Sequence, residues 1–224
     1  MIMSTYISDS IAQRSDALQV NRVLRNTYGL LSMTLLFSAI VAGVSSALSL
    51  PHPGLLLTLV GYFGLLYLTT RYRNTSLGIV MVFALTGFMG YTLGPILNMY
   101  LSMANGPQLV MMALGGTAAT FLSLSAYALI SRKDFSFMGS FLMAGIIVGF
   151  LAGLAAYFFS VPGLALAVSA IFIVLMSGLI LYETSNIIHG GETNYIMATV
   201  TLYVAIYNLF TSLLHLLTAF DNHG

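Results

Sequence analysis

Seven long apolar runs, separated by short polar or proline- and glycine-rich breaks, constrain this chain more than any other feature. They occupy residues 28–50, 55–70, 77–101, 108–130, 137–159, 164–182 and 195–220. About 20 apolar residues in a helix cross the roughly 30 Å of a bilayer's hydrocarbon, and most of the runs have that length. The second is short and borrows from its flanks. A closed β-barrel is the other way to span a membrane, but it needs strands of alternating polarity, and these runs do not alternate. Only 6% of the residues are charged and 58% are hydrophobic, too little charge to cover a water-facing surface. The expected fold is therefore an all-α integral membrane protein with seven transmembrane helices. Residues 1–27 form a polar N-terminal tail, 28–220 the membrane domain and 221–224 a short C-terminal tail. Residues 1–21, rich in Ser, Asp and Gln, are expected to be mobile. The tail is too polar, and the run behind it too long, for a cleavable signal peptide.

The charges orient the spans. All seven Lys and Arg fall in the tail (Arg14, Arg22, Arg25), the second loop (Arg71, Arg73) and the fourth loop (Arg132, Lys133). The first, third and fifth loops have none. By the positive-inside rule this places the N-terminus in the cytoplasm and, after seven spans, the C-terminus outside. The sixth loop and C-terminal tail carry no basic residue, so six spans with a re-entrant last segment is the alternative on charge alone.

Other chemistry is sparse. A net charge of +1 gives no basic patch for nucleic acid. The absence of cysteine removes disulfides, thiolate metal sites and cysteine nucleophiles. Zincin, nucleophile-elbow, phosphate-loop and dinucleotide motifs are missing, and His52, His189, His215 and His223 lack metal-ligand spacing. No catalytic residue, metal site or cofactor is expected, and the bilayer itself is the first partner.

Ionisable and polar residues near the membrane are few, which makes each a candidate. Glu183 follows the sixth run at its cytoplasmic end. It is a pH-sensing or ion-path candidate, or a helix-end residue paired with Arg71 or Arg73 at the same level. The stretch His189-Gly190-Gly191-Glu192-Thr193-Asn194 is a gate or docking loop, or a helix break with Thr193 or Asn194 capping the seventh helix. On that helix Thr201, Ala205, Asn208, Ser212 and His215 share one face. A small, polar face turns inward in lipid, either to line a polar path, with Asn208 and His215 as its candidates, or to hydrogen-bond between helices. Gly145, Gly149 and Gly153 recur every fourth residue, the spacing that lets two helix backbones approach closely.

Three segments carry a family resemblance. Thr86-Gly87-Phe88-Met89-Gly90-Tyr91-Thr92-Leu93-Gly94-Pro95-Ile96-Leu97, Tyr182-Glu183-Thr184-Ser185-Asn186-Ile187-Ile188 and Leu202-Tyr203-Val204-Ala205-Ile206-Tyr207-Asn208-Leu209-Phe210 resemble, in order, motifs of the Bax inhibitor-1 family (transmembrane BAX inhibitor motif proteins). The likeness covers 23–217. Val23-Leu24-Arg25-Asn26-Thr27-Tyr28, Pro53-Gly54-Leu55 and 183–195 are most similar to the bacterial YccA-like subgroup. The resemblance implies two three-helix layers around a central seventh helix. It implies an inner-membrane protein, not an enzyme, that binds and modulates FtsH, the membrane-anchored ATP-dependent zinc metalloprotease of membrane protein quality control, and is itself a substrate. The family's alternative function is a pH-sensitive leak for calcium or other cations, including H⁺. Leak-type members pair an acid on the sixth helix with an Asp on the seventh. Glu183 matches the first, but the second falls at Ala205, so the shared-proton pair is broken, and one carboxylate is a weak calcium site.

Overall fold

The computed structural model describes the backbone of residues 2–221 and the side chains of residues 18–221. Most of the stretch expected to be mobile, together with His223, lies outside the described side chains. Seven helices follow one another: α1 (Ile2–Ala47), α2 (Leu55–Tyr72), α3 (Ser76–Leu101), α4 (Gly106–Ser131), α5 (Gly139–Phe158), α6 (Pro162–Ile188) and α7 (Tyr195–Asp221), with a single 3₁₀ turn at Ser136–Met138 leading into α5.

All seven contain a stretch long and apolar enough to cross a membrane. α7 is continuous over 27 residues, about 40 Å at 1.5 Å per residue. A re-entrant last segment is thereby replaced by a helix of full spanning length. α2 does borrow from its flank, running on through Arg71 to Tyr72.

Two boundaries differ from the sequence reading, for the same reason. α1 begins well before residue 28, since no Gly or Pro interrupts residues 1–28. α6 continues six residues past Tyr182, to Ile188. Polarity marks where a helix leaves hydrocarbon, not where its backbone hydrogen bonding stops.

The helices form two groups of contacts, α2 and α1 on α3, and α5 and α4 on α6. α7 touches α1, α3, α4 and α6, and it carries the longest roll of buried residues. Tyr203, Leu202, Leu209 and Leu214 are almost wholly covered. The outward faces are apolar, as with Leu56, Ile130 and Phe137, each at least 78% exposed. Such a surface would aggregate in water and requires lipid as its solvent. Tyr157, Phe158 and Phe159, all exposed, close α5 with an aromatic group suited to the membrane interface in a chain without Trp.

Candidate functional site

The α2–α3, α4–α5 and α6–α7 connections lie at one end of the bundle with the start of the apolar part of α1, and this basic end is where the chain's polar chemistry collects. Val23 of α1, Ile187 of α6 and Ala198 of α7 pack together there. One turn deeper, the Tyr28 hydroxyl lies 3.3 Å from the Thr184 hydroxyl, and the Thr199 hydroxyl donates to the Thr27 carbonyl at 3.3 Å. Glu183 sits in this layer, 4% exposed, and its Oε1 has no hydrogen-bond partner. The sequence puts it at the cytoplasmic end of the sixth run. It is instead inside α6 and facing the bundle.

The turn after α6 is a helix break with a cap. Gly190 takes φ +75°, a conformation that favours glycine. The Gly191 and Glu192 N–H groups both donate to the Asn186 carbonyl. Asn194 Oδ1 then accepts from the N–H groups of Ile196 and Met197 at 3.0 and 3.1 Å, which caps α7. The same side chain donates to the Arg73 carbonyl and to Asn74 Oδ1, so the cap also ties the α2–α3 loop to α7. The α4–α5 loop is held by Ser185, whose hydroxyl donates to the Lys133 carbonyl and accepts from the Phe135 N–H, both at 3.0 Å. In that loop Asp134 accepts the Ser136 N–H at 2.8 Å. That bond, more than the more distant His189, holds its carboxyl below the usual range.

Between α1, the end of α4 and the α6–α7 turn lies an open groove of about 590 Å³, lined by Val23, Leu24, Leu129, Arg132, Ile187 and His189 among others.

The proposed partners of Glu183 lie elsewhere. Arg71 and Arg73 are exposed and no ion pair joins either to Glu183. α2 packs on α3, not on α6, so equal depth in the membrane does not make these groups neighbours. On α7, Asn208 is half-buried and donates to the Val204 carbonyl of its own helix at 2.9 Å. His215 Nδ1 lies 2.8 Å from the Ser169 hydroxyl of α6, far from Glu183 along the bundle. Ala205 is fully buried among Leu142, Leu175, Met176, Ile180 and Leu209, and no second carboxylate stands there. Gly145, Gly149 and Gly153 face α6. A Cβ added to the first two would fall 2.6 Å from Leu175 and 2.7 Å from Phe172.

The most connected polar groups on α7 are ones that the sequence reading passed over, on the face toward α1 and α3. The Tyr203 hydroxyl lies 2.5 Å from the Ser38 hydroxyl and donates to the Thr86 carbonyl at 3.3 Å. The Tyr207 hydroxyl lies 3.3 Å from that of Thr92. The signal was present in α1, where Thr27, Thr34, Ser38 and Ser45 repeat on one face at helical spacing, and all four are buried.

Comparison with known proteins identifies the family of the chain. The family model for the inhibitor of apoptosis-promoting Bax1 matches residues 20–222. The chain is 57% identical to the modulator of FtsH protease YccA of Escherichia coli strain K12, over 94% of this chain and 96% of that protein. It is 56% identical to an uncharacterized protein of Pseudomonas aeruginosa over 88% of this chain and 89% of its relative, and 44% identical to an uncharacterized membrane protein of Vibrio cholerae over 99% and 100% of the two. A match that runs from α1 to the end of α7 places this seven-helix chain in the Bax inhibitor-1 family.

Proposed function

We propose that this protein is a multi-pass inner-membrane partner of FtsH that modulates the protease and is itself drawn into it as a substrate. The observation that carries this reading is the 57% identity to the Escherichia coli modulator along nearly the whole of both chains. The basic end faces the cytoplasm, on the charge distribution above, and so α1's polar N-terminal part stands on the side from which an ATP-driven protease would take hold. The protein acts by binding and not by catalysis.

The test is co-purification from detergent of tagged full-length protein and of protein lacking residues 1–17, with the lifetime of each followed after synthesis is stopped. Recovery of FtsH with the full-length chain, together with a longer lifetime for the shortened one, is the expected result. A chain that purifies alone and turns over at an unchanged rate after truncation overturns the proposal.

A calcium leak is the weaker reading. With Ala205 in an apolar cluster, one carboxylate remains, and Ca²⁺ takes six to eight oxygen ligands with more than one carboxylate as a rule.

A further inference from the structure

Basic side chains crowd the cytoplasmic end of the bundle, and two of the acids beside them are occupied. Asp134 accepts the Ser136 N–H at 2.8 Å and Glu192 accepts the Asn194 N–H at 2.6 Å, each closing its own turn. Arg132 is the cation set on the groove between α1, the end of α4 and the α6–α7 turn, and among the described residues it has no carboxylate partner. It ends α4 with φ +48°, a conformation in which Gly or Asn is the usual residue. A long cation held there against that preference points to a use for its side chain. Its neighbour Lys133 is engaged elsewhere, with Nζ 6.0 Å from the centre of the Tyr127 ring. His189, also on the lining, donates its Nδ1–H to the Ser185 carbonyl at 2.8 Å, which leaves Nε2 for a ligand. Glu192 lines the groove too, but its Oε1 is taken by the Asn194 amide.

The rest of the groove includes an apolar wall of Val23, Leu24, Leu129 and Ile187. α1 and α4 both pack on α6 but scarcely on each other, so a wedge is left between them. Further along the bundle the rings of Tyr28 and Phe121 lie 6.1 Å apart and join the two helices. From the groove the apolar surface continues along α4. Leu129, Ala126 and Leu122 follow one another at steps of three and four, which share a helix face, and all three are exposed. A basic pocket at the cytoplasmic boundary thus runs into an apolar track on a helix long enough to span the membrane. A free anion would use only the pocket, and an apolar helix only the track.

We propose that this groove seats one anionic phospholipid of the cytoplasmic leaflet, its phosphate on Arg132 and His189 and an acyl chain along Leu129, Ala126 and Leu122. Basic pockets between helix ends on the cytoplasmic side hold anionic headgroups by charge, and a guanidinium offers a phosphate two parallel N–H donors. The site is independent of the protease reading, since its test contains no protease.

The experiment uses full-length protein purified in detergent. It is given equimolar phosphatidylglycerol and phosphatidylcholine with the same acyl chains, and the lipid retained is counted by native mass spectrometry. The thermal unfolding midpoint is followed with each lipid and with inorganic phosphate. Wild type should retain one phosphatidylglycerol, preferred over phosphatidylcholine by about fivefold or more, with a saturable rise in midpoint. Arg132→Asn keeps the left-handed helix end without the charge and should lose the preference; Arg132→Gly gives the same reading if the Asn variant is unstable. His189→Gln should weaken it. The double variant Arg71→Gln with Arg73→Gln removes two cations of the same end outside the groove and should keep it. Equal retention of the two lipids by wild type overturns the proposal, as does a preference that survives in Arg132→Asn or is lost equally in the Arg71 and Arg73 variant. A midpoint rise with inorganic phosphate equal to that with phosphatidylglycerol would give the groove to a free anion, and a doubled mass that Arg132→Asn abolishes would give it to a second copy of the chain; either result overturns the lipid site.

Discussion

Ser45 on α1 donates its hydroxyl to the backbone carbonyl of Tyr91 on α3 at 3.0 Å, and that carbonyl is the one that Pro95 leaves vacant. Pro95 lies inside α3 and has no N–H, so the carbonyl one turn back loses its helical donor. The neighbouring helix supplies the missing bond. Close approach makes this possible. A Cβ at Gly94 would collide with Ser45, and one at Gly90 would lie 2.5 Å from the Ser38 carbonyl. Helix α1 is thus seated against α3 by two glycines and fastened at the proline.

The relationship predicts a non-additive pair of substitutions. Ser45→Ala orphans a carbonyl in a medium without water and should destabilise the protein by about 1–3 kcal/mol. Pro95→Ala restores the helical N–H. In the Ser45→Ala background it should recover most of the loss, while in the wild-type background it should change little. Unfolding midpoints of the four proteins in one detergent form the cycle. Additive effects would show that the hydroxyl and the proline are unrelated.

A second prediction separates the two faces of α7. Tyr203 is buried with its hydroxyl shared between Ser38 and Thr86, whereas Asn208 bonds only to its own helix. Tyr203→Phe keeps the ring, leaves the Ser38 hydroxyl without its partner and removes a second bond to the Thr86 carbonyl, at a cost of about 1–3 kcal/mol. Asn208→Leu should cost less than half as much. The comparison is read from chemical unfolding of the two variants side by side; an Asn208 effect equal to or larger than that of Tyr203 would move the structural weight of α7 to the face toward α6.

The cap of α7 gives a third. Asn194 satisfies two N–H groups of the first turn and bonds the α2–α3 loop. Asn194→Ala loses both functions and should cost about 1–2 kcal/mol. Asn194→Asp keeps the cap oxygens and a favourable charge at the helix start but loses the amide donor to Arg73 and Asn74, so it should fall between Ala and wild type. Proteolysis in the α2–α3 loop should follow the same order, fastest for Ala. Equal cleavage in all three would mean that Asn194 does not hold that loop.

Much of this architecture was legible in the sequence because a bilayer is an unforgiving solvent. It demands about 20 apolar residues per crossing, and the seven runs answered that demand one for one. The helix ends were less legible. Glu183, Thr184 and Ser185 read as a polar exit, yet Thr184 is satisfied by Tyr28 and Ser185 by the α4–α5 loop, so α6 continues through them. Charge singled out Glu183 as one of the few ionisable groups near the membrane, and its burial is what the structure adds. Its neighbours were beyond reach, because depth in the membrane follows from topology, whereas lateral order follows from packing. Arg71 and Arg73 share its level, but the α1 residues that meet α6 beside it are Val23 and Tyr28.

The glycine face of α5 gives a graded test with one probe. A methyl at Gly145 would fall 2.6 Å from Leu175 Cδ2, and one at Gly149 would fall 2.7 Å from Phe172 Cε2. Leu175 belongs to a buried cluster with Met176, Ile180 and Leu209 and has little room to yield. At Gly153 the new methyl would be 3.8 Å from Val168, an ordinary contact. Replacing Gly by Ala inside a helix is favourable by roughly 1 kcal/mol from propensity alone, while overfilling a packed interface costs about 1–3 kcal/mol. Overfilling wins where the neighbour is close and buried. Gly145→Ala and Gly149→Ala should therefore lower the unfolding midpoint, and Gly153→Ala should leave it unchanged or raise it. Phe172 is only partly buried and its ring can tilt, so Gly149→Ala should be the milder of the two. If Gly153→Ala proves as damaging as Gly145→Ala, the α5–α6 contact does not depend on this row of glycines, and α5 is held by the remainder of its apolar face.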